Sequence, residues 1–136
     1  MSLSDYFEQD TINYEFMEYK FINTEYLDSV SGGDIDTICE IVDLFREQCA
    51  EFLKEMKSLN ASGDFKALGL LAHKAKSSVA IMGMEDLALM LKAMELQARE
   101  GKDSTMYGSY IARFENETSG AIGELDDFIS KNLKDR

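Results

Sequence analysis

The chain has 136 residues, of which 45% are hydrophobic and 29% are charged, and its formal net charge is −12. This composition is typical of one globular domain with a real core, and the negative charge argues against binding to nucleic acids or anionic membrane surfaces, since both require basic patches. No apolar run is long enough for a membrane span and no basic-then-apolar leader is present, so the expected location is the cytoplasm.

The two cysteines are expected to be free thiols. Cys39 and Cys49 lie ten positions apart in one predicted helix, about 15 Å at the helical rise, which is too far for a disulfide. Neither has a cysteine or histidine at ligand spacing. A carboxylate-bridged metal site inside a helical bundle would need a second histidine, and His73 is the only one. We therefore expect no metal site and no cofactor.

Residues 1–23 are predicted to form an N-terminal arm, because their aromatic residues alternate with acids without a sustained helical or strand period. Two interpretations remain open. The aromatic side chains could lie against the rest of the protein, which we favour, or the arm could bind a partner.

Residues 24–136 are predicted to form a single domain, which opens with a short helix and then a long one. The short helix runs from Thr24, its expected cap, to Val30 and ends at two glycines. The long helix starts at Asp34, whose charge favours a helix N-terminus, and is followed by a tight connection, Asn60-Ala61-Ser62-Gly63. Its apolar residues repeat every three or four positions, as in helices packed lengthwise: Ile35, Ile38, Val42, Phe45, Cys49, Phe52, Met56 and Leu59.

Three more amphipathic helices follow, joined by short loops. Asp64 caps the first of them and Gly83 ends it, the next runs to Gly101, and the last spans about Ser104 to Leu133. Short loops between such helices force antiparallel neighbours. The predicted fold is all-α: an antiparallel up-down-up-down four-helix bundle with a short extra N-terminal helix and an N-terminal arm. Its remaining core stripes are Phe65, Leu68, Leu71, Ala72, Ala75, Val79 and Met82; Met84, Leu87, Leu91, Met94 and Ala98; and Tyr107, Tyr110, Ile111, Phe114, Thr118, Ala121, Leu125 and Phe128.

His73 does not belong to the core stripe of its helix. Winding the helix at about 100° per residue places His73 roughly 150° from the centre of that stripe. An exposed imidazole is a nucleophile near neutral pH, since its reference pKa is about 6.5. The position therefore predicts a histidine that reacts with groups brought by another protein.

The predicted surroundings of His73 favour that chemistry. Gly69, Ser77 and Ala80 are small and leave room for a partner to approach. Lys76, one turn on, can neutralise a transferred phosphoryl group, and Lys66 lies on the same side. Two outward apolar residues complete a candidate docking patch, Leu70 and Ile81.

The segment Ala72-His73-Lys74-Ala75-Lys76-Ser77-Ser78 resembles the Ala-His-x-Leu-Lys-Gly-Ser pattern of histidine-containing phosphotransfer (HPt) domains. Residues 41–48 resemble the body of that family's first long helix, and Gly83 and Leu87 match positions after its motif. The resemblance covers about residues 22–101. Two positions depart from the pattern: Ala75 replaces a leucine, and Ser77 replaces a glycine where a partner would close in.

The resemblance implies a phosphorelay intermediate, a phosphocarrier without ATP-dependent activity of its own. His73 would accept a phosphoryl group from a receiver-domain aspartyl phosphate and pass it to another receiver, with Lys76 as charge partner and Glu95 facing the histidine. The implied partners are response-regulator receiver domains and a hybrid histidine kinase. The Mg²⁺ would be on the receiver, and we expect this chain to be a monomer.

Two other functions remain open. The chain could be an adaptor or decoy that binds receiver domains without transferring phosphate. It could instead be a structural bundle that self-associates through its outward apolar residues and aromatic arm.

Overall fold

The structure, a computed structural model, describes residues 19–133, and every regular element in that range is helical. None of these helices combines the length and apolar character that a membrane span requires. The elements are α1 (Thr24–Ser31), α2 (Ile35–Ser62), α3 (Phe65–Ile81), α4 (Glu85–Glu100), a 3₁₀ turn (Ser104–Met106) and α5 (Tyr107–Leu133).

Capping side chains and glycines set the helix ends. Asp64 caps α3 as predicted, since its Oδ1 accepts a hydrogen bond from the Ala67 N–H at 3.2 Å. The cap of α1 is Asn23 and not Thr24, because Asn23 Oδ1 accepts from the Tyr26 N–H at 3.0 Å. After α3 the chain turns at Gly83, whose φ of +74° lies in the left-handed region that favours glycine.

The core is built from the predicted stripes. Each predicted stripe residue is buried or half-buried, and α1 adds Leu27. Thr118 is the polar member of the α5 stripe, and its hydroxyl donates to the Phe114 carbonyl at 2.7 Å. The three-four spacing therefore located the buried face of each long helix.

The histidine helix α3 packs most extensively against α4. Helix α2 contacts both α3 and α5, and α4 contacts α5 as well. The face that carries His73 is therefore framed by α3 and α4, on the side of the bundle away from the contact between α2 and α5.

Residues 19–23, here called the N-terminal strap, lie along α5. Both oxygens of the Glu124 carboxylate accept backbone hydrogen bonds, from the N–H groups of Lys20, Phe21 and Ile22 at 2.8, 2.9 and 3.0 Å. The Tyr19 hydroxyl donates to Asp127 at 2.6 Å. Tyr19 and Phe21 also pack against the core. The other aromatic residues of the predicted arm, Tyr6, Phe7, Tyr14 and Phe16, lie outside the described residues.

Candidate functional site

His73 stands on the exposed side of α3, between the buried Ala72 and Ala75. Its side chain is 55% exposed, and its Nδ1 lies 3.1 Å from Glu95 Oε1. An ionised carboxylate can only accept a hydrogen bond, so Nδ1 is the donor. Nε2 has no hydrogen-bond partner within residues 19–133. The arrangement leaves Nε2 as the nitrogen available for reaction.

Glu95 is a buried carboxylate on α4 that contacts the His73 imidazole and two cationic side chains, Lys76 and Arg99. Oε1 lies near His73 and 3.5 Å from Lys76 Nζ, and Oε2 lies 3.0 Å from an Arg99 guanidinium nitrogen. Burial by itself would raise the pKa of Glu95. The hydrogen bond and charge of His73, and then the charges of Lys76 and Arg99, outweigh burial and lower that pKa below its ordinary value. Glu95 is therefore ionised at neutral pH, and its buried charge is compensated.

Lys76 lies one turn after His73, where the sequence predicted it. Its side chain is largely buried, at 24% exposure, and its ammonium contacts the same carboxylate oxygen as His73 Nδ1. The structure thus brings His73, Lys76 and Glu95 together, as the sequence predicted, from two neighbouring helices.

The structure corrects the prediction for Gly69. This residue is buried between α3 and α4 and is not part of the exposed face. A Cβ placed there would lie 3.0 Å from the Glu95 carbonyl oxygen and 3.1 Å from Arg99 Cγ. Gly69 therefore lets the two helices approach closely one turn before His73, and it offers no surface to a partner.

The other residues predicted for docking are exposed. Leu70 and Ile81 are apolar and 52% and 44% exposed, and Lys66, Ser77 and Ala80 are exposed as well. Beside them lies a depression of about 450 Å³, here called the α3–α4 groove. Its lining includes Tyr26, Lys76, Ala80, Ala88, Leu89 and Lys92.

Sequence reasoning missed Arg99 and most of this groove. The signal for Arg99 was its position four residues after Glu95, a spacing that pairs opposite charges on a helix. Using that signal required knowing that residue 95 is buried toward α3, which depends on how the two helices cross. Leu89 and Lys92 lie off the core stripe of α4, so no role was predicted for them.

The described part of the chain contains no group of three or more histidine, cysteine, aspartate or glutamate side chains that could hold a metal ion. Cys39 and Cys49 are free. Burial raises the pKa of Cys49 to about 12, so this residue stays a thiol at neutral pH. Within residues 19–133 the titratable cluster around Glu95 is the arrangement that supports chemistry.

One family model, that of the Hpt domain, matches residues 40–127, which is well over half of the chain. The matched segment contains His73, Lys76, Glu95 and Arg99, and it extends through most of α5. Comparison with curated proteins and with solved structures gives no significant match.

Proposed function

Because the chain belongs to the Hpt domain family, we propose that it is a phosphorelay intermediate whose phosphoacceptor is His73. Hpt domains transfer phosphoryl groups through a histidine in two-component signalling, as phosphocarriers rather than enzymes. One observation carries the assignment to His73: its Nδ1 is held by the buried Glu95 carboxylate while the ring remains exposed.

The proposed architecture is the antiparallel four-helix bundle expected from the sequence, formed by α2 to α5. Two observations support it: the loops between these helices are short, and each helix contacts the next while α5 contacts α2, which closes a ring of four. In this proposal α1 is the extra N-terminal helix, residues 24–136 form the domain, and residues 1–23 form the arm.

The proposed reaction is in-line transfer to Nε2. The Nε2 lone pair forms the new P–N bond as the P–O bond to the receiver aspartate breaks, and the aspartate leaves as a carboxylate. The proton on Nδ1 stays in place, because Glu95 accepts its hydrogen bond. The positive charge that develops on the imidazole is stabilised by the Glu95 carboxylate. Transfer to a second receiver is the reverse of these steps.

Lys76 is proposed to stabilise the phosphoryl oxygens. Its ammonium lies on the His73 side of α3 and contacts Glu95 before transfer. A phosphoryl group on Nε2 would add a second anionic partner within reach of the same flexible side chain. Arg99 remains on the other oxygen of Glu95 and so keeps the carboxylate ionised and fixed.

The proposed docking face consists of the exposed residues around His73. Helix α3 carries three lysines and no acidic residue, in a chain whose net charge is −12. This local positive charge complements a receiver domain, whose phosphorylation pocket is acidic and holds the Mg²⁺. Receiver domains and a hybrid histidine kinase are therefore the proposed partners, and the chain needs no cofactor of its own. The monomeric state and cytoplasmic location stay predictions. The docking residues are Lys66, Leu70, Ser77, Ala80 and Ile81.

A phosphotransfer assay tests the proposal. The protein is incubated with receiver domains charged by a small acyl phosphate and Mg²⁺, and the label is located by mass spectrometry. We expect an acid-labile, alkali-stable phosphoryl group at His73, and we expect His73→Gln to lose it while the far-ultraviolet circular dichroism is unchanged. Labelling of the variant at the wild-type level would contradict the assignment.

A second candidate function is an adaptor that binds receivers without transfer. The observation that favours it is Ser77, which is exposed where the family pattern has glycine and a receiver would close in. If the chain is an adaptor, we expect it to bind receiver domains but to take no label from any of the receivers tested. We also expect its binding to be unchanged in His73→Gln. Labelling that appears only in Ser77→Gly would identify the serine as the cause.

A further inference from the structure

Arg99 contacts the buried carboxylate that orients His73, although its own side chain lies at the surface of α4. Its guanidinium is 3.0 Å from Glu95 Oε2, and the side chain of Arg99 is 46% exposed, against 5% for Glu95. The other oxygen of Glu95 contacts His73 Nδ1 and the Lys76 ammonium. A surface arginine is therefore linked to the imidazole through a single buried carboxylate.

The contact with Arg99 fixes the rotation of the Glu95 carboxylate. The terminal torsion of a glutamate side chain has a broad energy well, so the carboxylate turns easily unless both of its oxygens are held. The contacts with His73 and Lys76 both fall on Oε1, whereas Arg99 holds Oε2. Without the arginine, both oxygens would be free to turn toward the Lys76 ammonium, a compact charge with three rotatable donors.

Gly69 on α3 leaves room for the side chain of Arg99. A Cβ at residue 69 would lie 3.1 Å from Arg99 Cγ, so the arginine stem lies directly against the α3 backbone at this glycine. Glu95 and Arg99 are also four residues apart on one helix, a spacing that brings opposite charges together. The neighbouring helix and the helix of the arginine itself therefore both direct the guanidinium to Oε2.

The position of Glu95 Oε1 determines which nitrogen of His73 carries the proton. A neutral imidazole has one N–H, and the hydrogen bond made by one ring nitrogen sets the state of the other. With Oε1 3.1 Å from Nδ1, the proton is held on Nδ1 and the lone pair is left on Nε2. If Oε1 turns away, a share of the molecules carries the proton on Nε2, and that nitrogen then has no lone pair for attack.

We propose that Arg99 is a positioning residue that acts through Glu95 to keep the proton of His73 on Nδ1. Its importance for transfer rests on the proposed function, in which Lys76 gains the phosphoryl group as a second anionic partner. Arg99 then still holds the buried carboxylate by its other oxygen. Arg99 thus keeps Nε2 able to accept a phosphoryl group, while it takes no part in forming or breaking a bond.

Nuclear magnetic resonance of the histidine ring tests the effect on the proton. His73 is the only histidine in the chain, so its two ring nitrogens can be observed in the isotope-labelled protein without overlap. At an alkaline pH that selects the neutral ring, we expect the wild type to carry the proton on Nδ1. Arg99→Gln should show a measurable share of the other tautomer. An unchanged tautomer in Arg99→Gln, with an unchanged circular dichroism spectrum, would overturn the proposal.

The transfer rate separates positioning from docking, with Arg113→Gln as the matched control. Arg113 pairs with Glu117 four residues away on α5, and its 43% exposure is close to that of Arg99. We expect Arg99→Gln to lower the maximal rate of labelling by a charged receiver about tenfold, as for the loss of one charge-assisted hydrogen bond. The receiver concentration that gives half of the maximal rate should stay the same, and Arg113→Gln should change neither quantity. A change in that concentration alone would mean that Arg99 binds the receiver, which would overturn the proposal.

A double-mutant cycle tests whether Arg99 acts through Glu95. In Glu95→Gln the carboxylate charge is already absent, so adding Arg99→Gln should slow labelling further by less than about twofold. A further loss of about tenfold would mean that Arg99 acts on the reaction directly, against the proposal. The tautomer is measured without any phosphoryl transfer. If it changes in Arg99→Gln as expected while no form of the protein is labelled, the phosphorelay function fails and the positioning role of Arg99 stands.

Discussion

The two oxygens of the Glu95 carboxylate contact the His73 imidazole and two cationic side chains, and these contacts give His73 a defined orientation. Oε1 contacts the His73 imidazole and the Lys76 ammonium, while Oε2 contacts the Arg99 guanidinium. A carboxylate with one free oxygen could rotate, but here both oxygens are engaged. The ring nitrogen that is left free, Nε2, is therefore selected by contacts below the surface of the protein.

Replacing Glu95 by glutamine should slow transfer to His73. Glutamine keeps the size and one oxygen acceptor but loses the charge that stabilises the imidazolium and holds Lys76 and Arg99. We expect a loss of about ten- to a hundredfold in the initial rate of labelling by a charged receiver, a range typical of misplaced catalytic groups. Asp126→Asn is the matched control, because it removes one carboxylate from the exposed pair with Arg46 on α2. An equal effect of the two substitutions would contradict the role of Glu95.

The lowered pKa of Glu95 predicts how stability depends on pH. A carboxylate with a folded-state pKa below its ordinary value of 4.5 stabilises the fold fully above that value, and the contribution is lost as the pH falls through the folded-state pKa. Urea unfolding of the wild type and Glu95→Gln should therefore show a difference in the free energy of unfolding at pH 7 that shrinks below about pH 4.5. A constant difference down to pH 3 would show that Glu95 is not held ionised by its neighbours.

The sequence predicted His73, Lys76 and Glu95 but not the details of their contacts. Helical winding was sufficient to place His73 and Lys76, since both lie on one helix. Glu95 came from the family pattern. Arg99 was missed and Gly69 was assigned to the wrong surface, because both depend on where α3 and α4 cross, and one periodic stripe does not specify a crossing point.

The backbones of α3 and α4 lie close together around Gly69. The atoms that an added Cβ would meet include the Glu95 carbonyl oxygen at 3.0 Å and the Arg99 amide nitrogen at 3.2 Å. Backbone atoms within a helix cannot move aside as a side-chain end can. The glycine therefore fixes the distance between the helix that carries His73 and the helix that carries Glu95.

Gly69→Ala should destabilise the protein relative to Gly123→Ala. Both glycines lie inside helices, so each alanine gains helix propensity, about 1 kcal/mol. At Gly123 nothing lies within 4 Å of the added Cβ, and we expect a net gain. At Gly69 overpacking opposes the gain by about 1–3 kcal/mol. Urea unfolding should show Gly69→Ala to be less stable by about that amount, with slower labelling of His73. Equal stability of the two variants would contradict the close approach.

The periodicity of the sequence predicts the positions of the helices, but it does not predict the contacts of the N-terminal strap. In helices α2 to α5, the spacing of apolar residues is enough to predict which face is buried. The strap depends on Glu124 and Gly120, which lie about a hundred residues further along the chain. Gly120 had no sequence explanation beyond close packing. The structure supplies one, since a Cβ there would clash with the Phe21 ring.

Charge is distributed unevenly over the protein. The net charge is −12, yet α3 carries three lysines and no acid. Helix α3 is therefore a positively charged element in a chain that is negative overall. For the proposed receiver partner, we expect this charge to favour approach with the acidic pocket toward α3.

This distribution predicts that removing a lysine slows phosphoryl transfer by an amount that depends on the position of the lysine. The effect should also depend on the salt concentration. Lys66→Gln and Lys57→Gln change the net charge equally, but Lys66 is on α3 and Lys57 pairs with Glu115 on the far side. We expect Lys66→Gln to slow the second-order transfer rate roughly two- to fivefold at low salt, with the effect fading near 0.5 M salt, and Lys57→Gln to change it little. The measurement is the labelling rate across a salt series. Equal slowing by both variants would mean that net charge alone matters.

The carboxylate of Glu124 also has a consequence for the order in which parts of the protein fold. His73 and Glu95 are 22 residues apart, whereas Glu124 bonds residues 102 to 104 positions before it. Contacts between near neighbours in the chain form early, and closing a long loop comes later and costs more entropy. We therefore expect the α3–α4 pair to form before Glu124 binds the N-terminal strap. The folding chain then passes through a stage in which His73 and Glu95 are in contact and residues 20–22 have not yet reached Glu124.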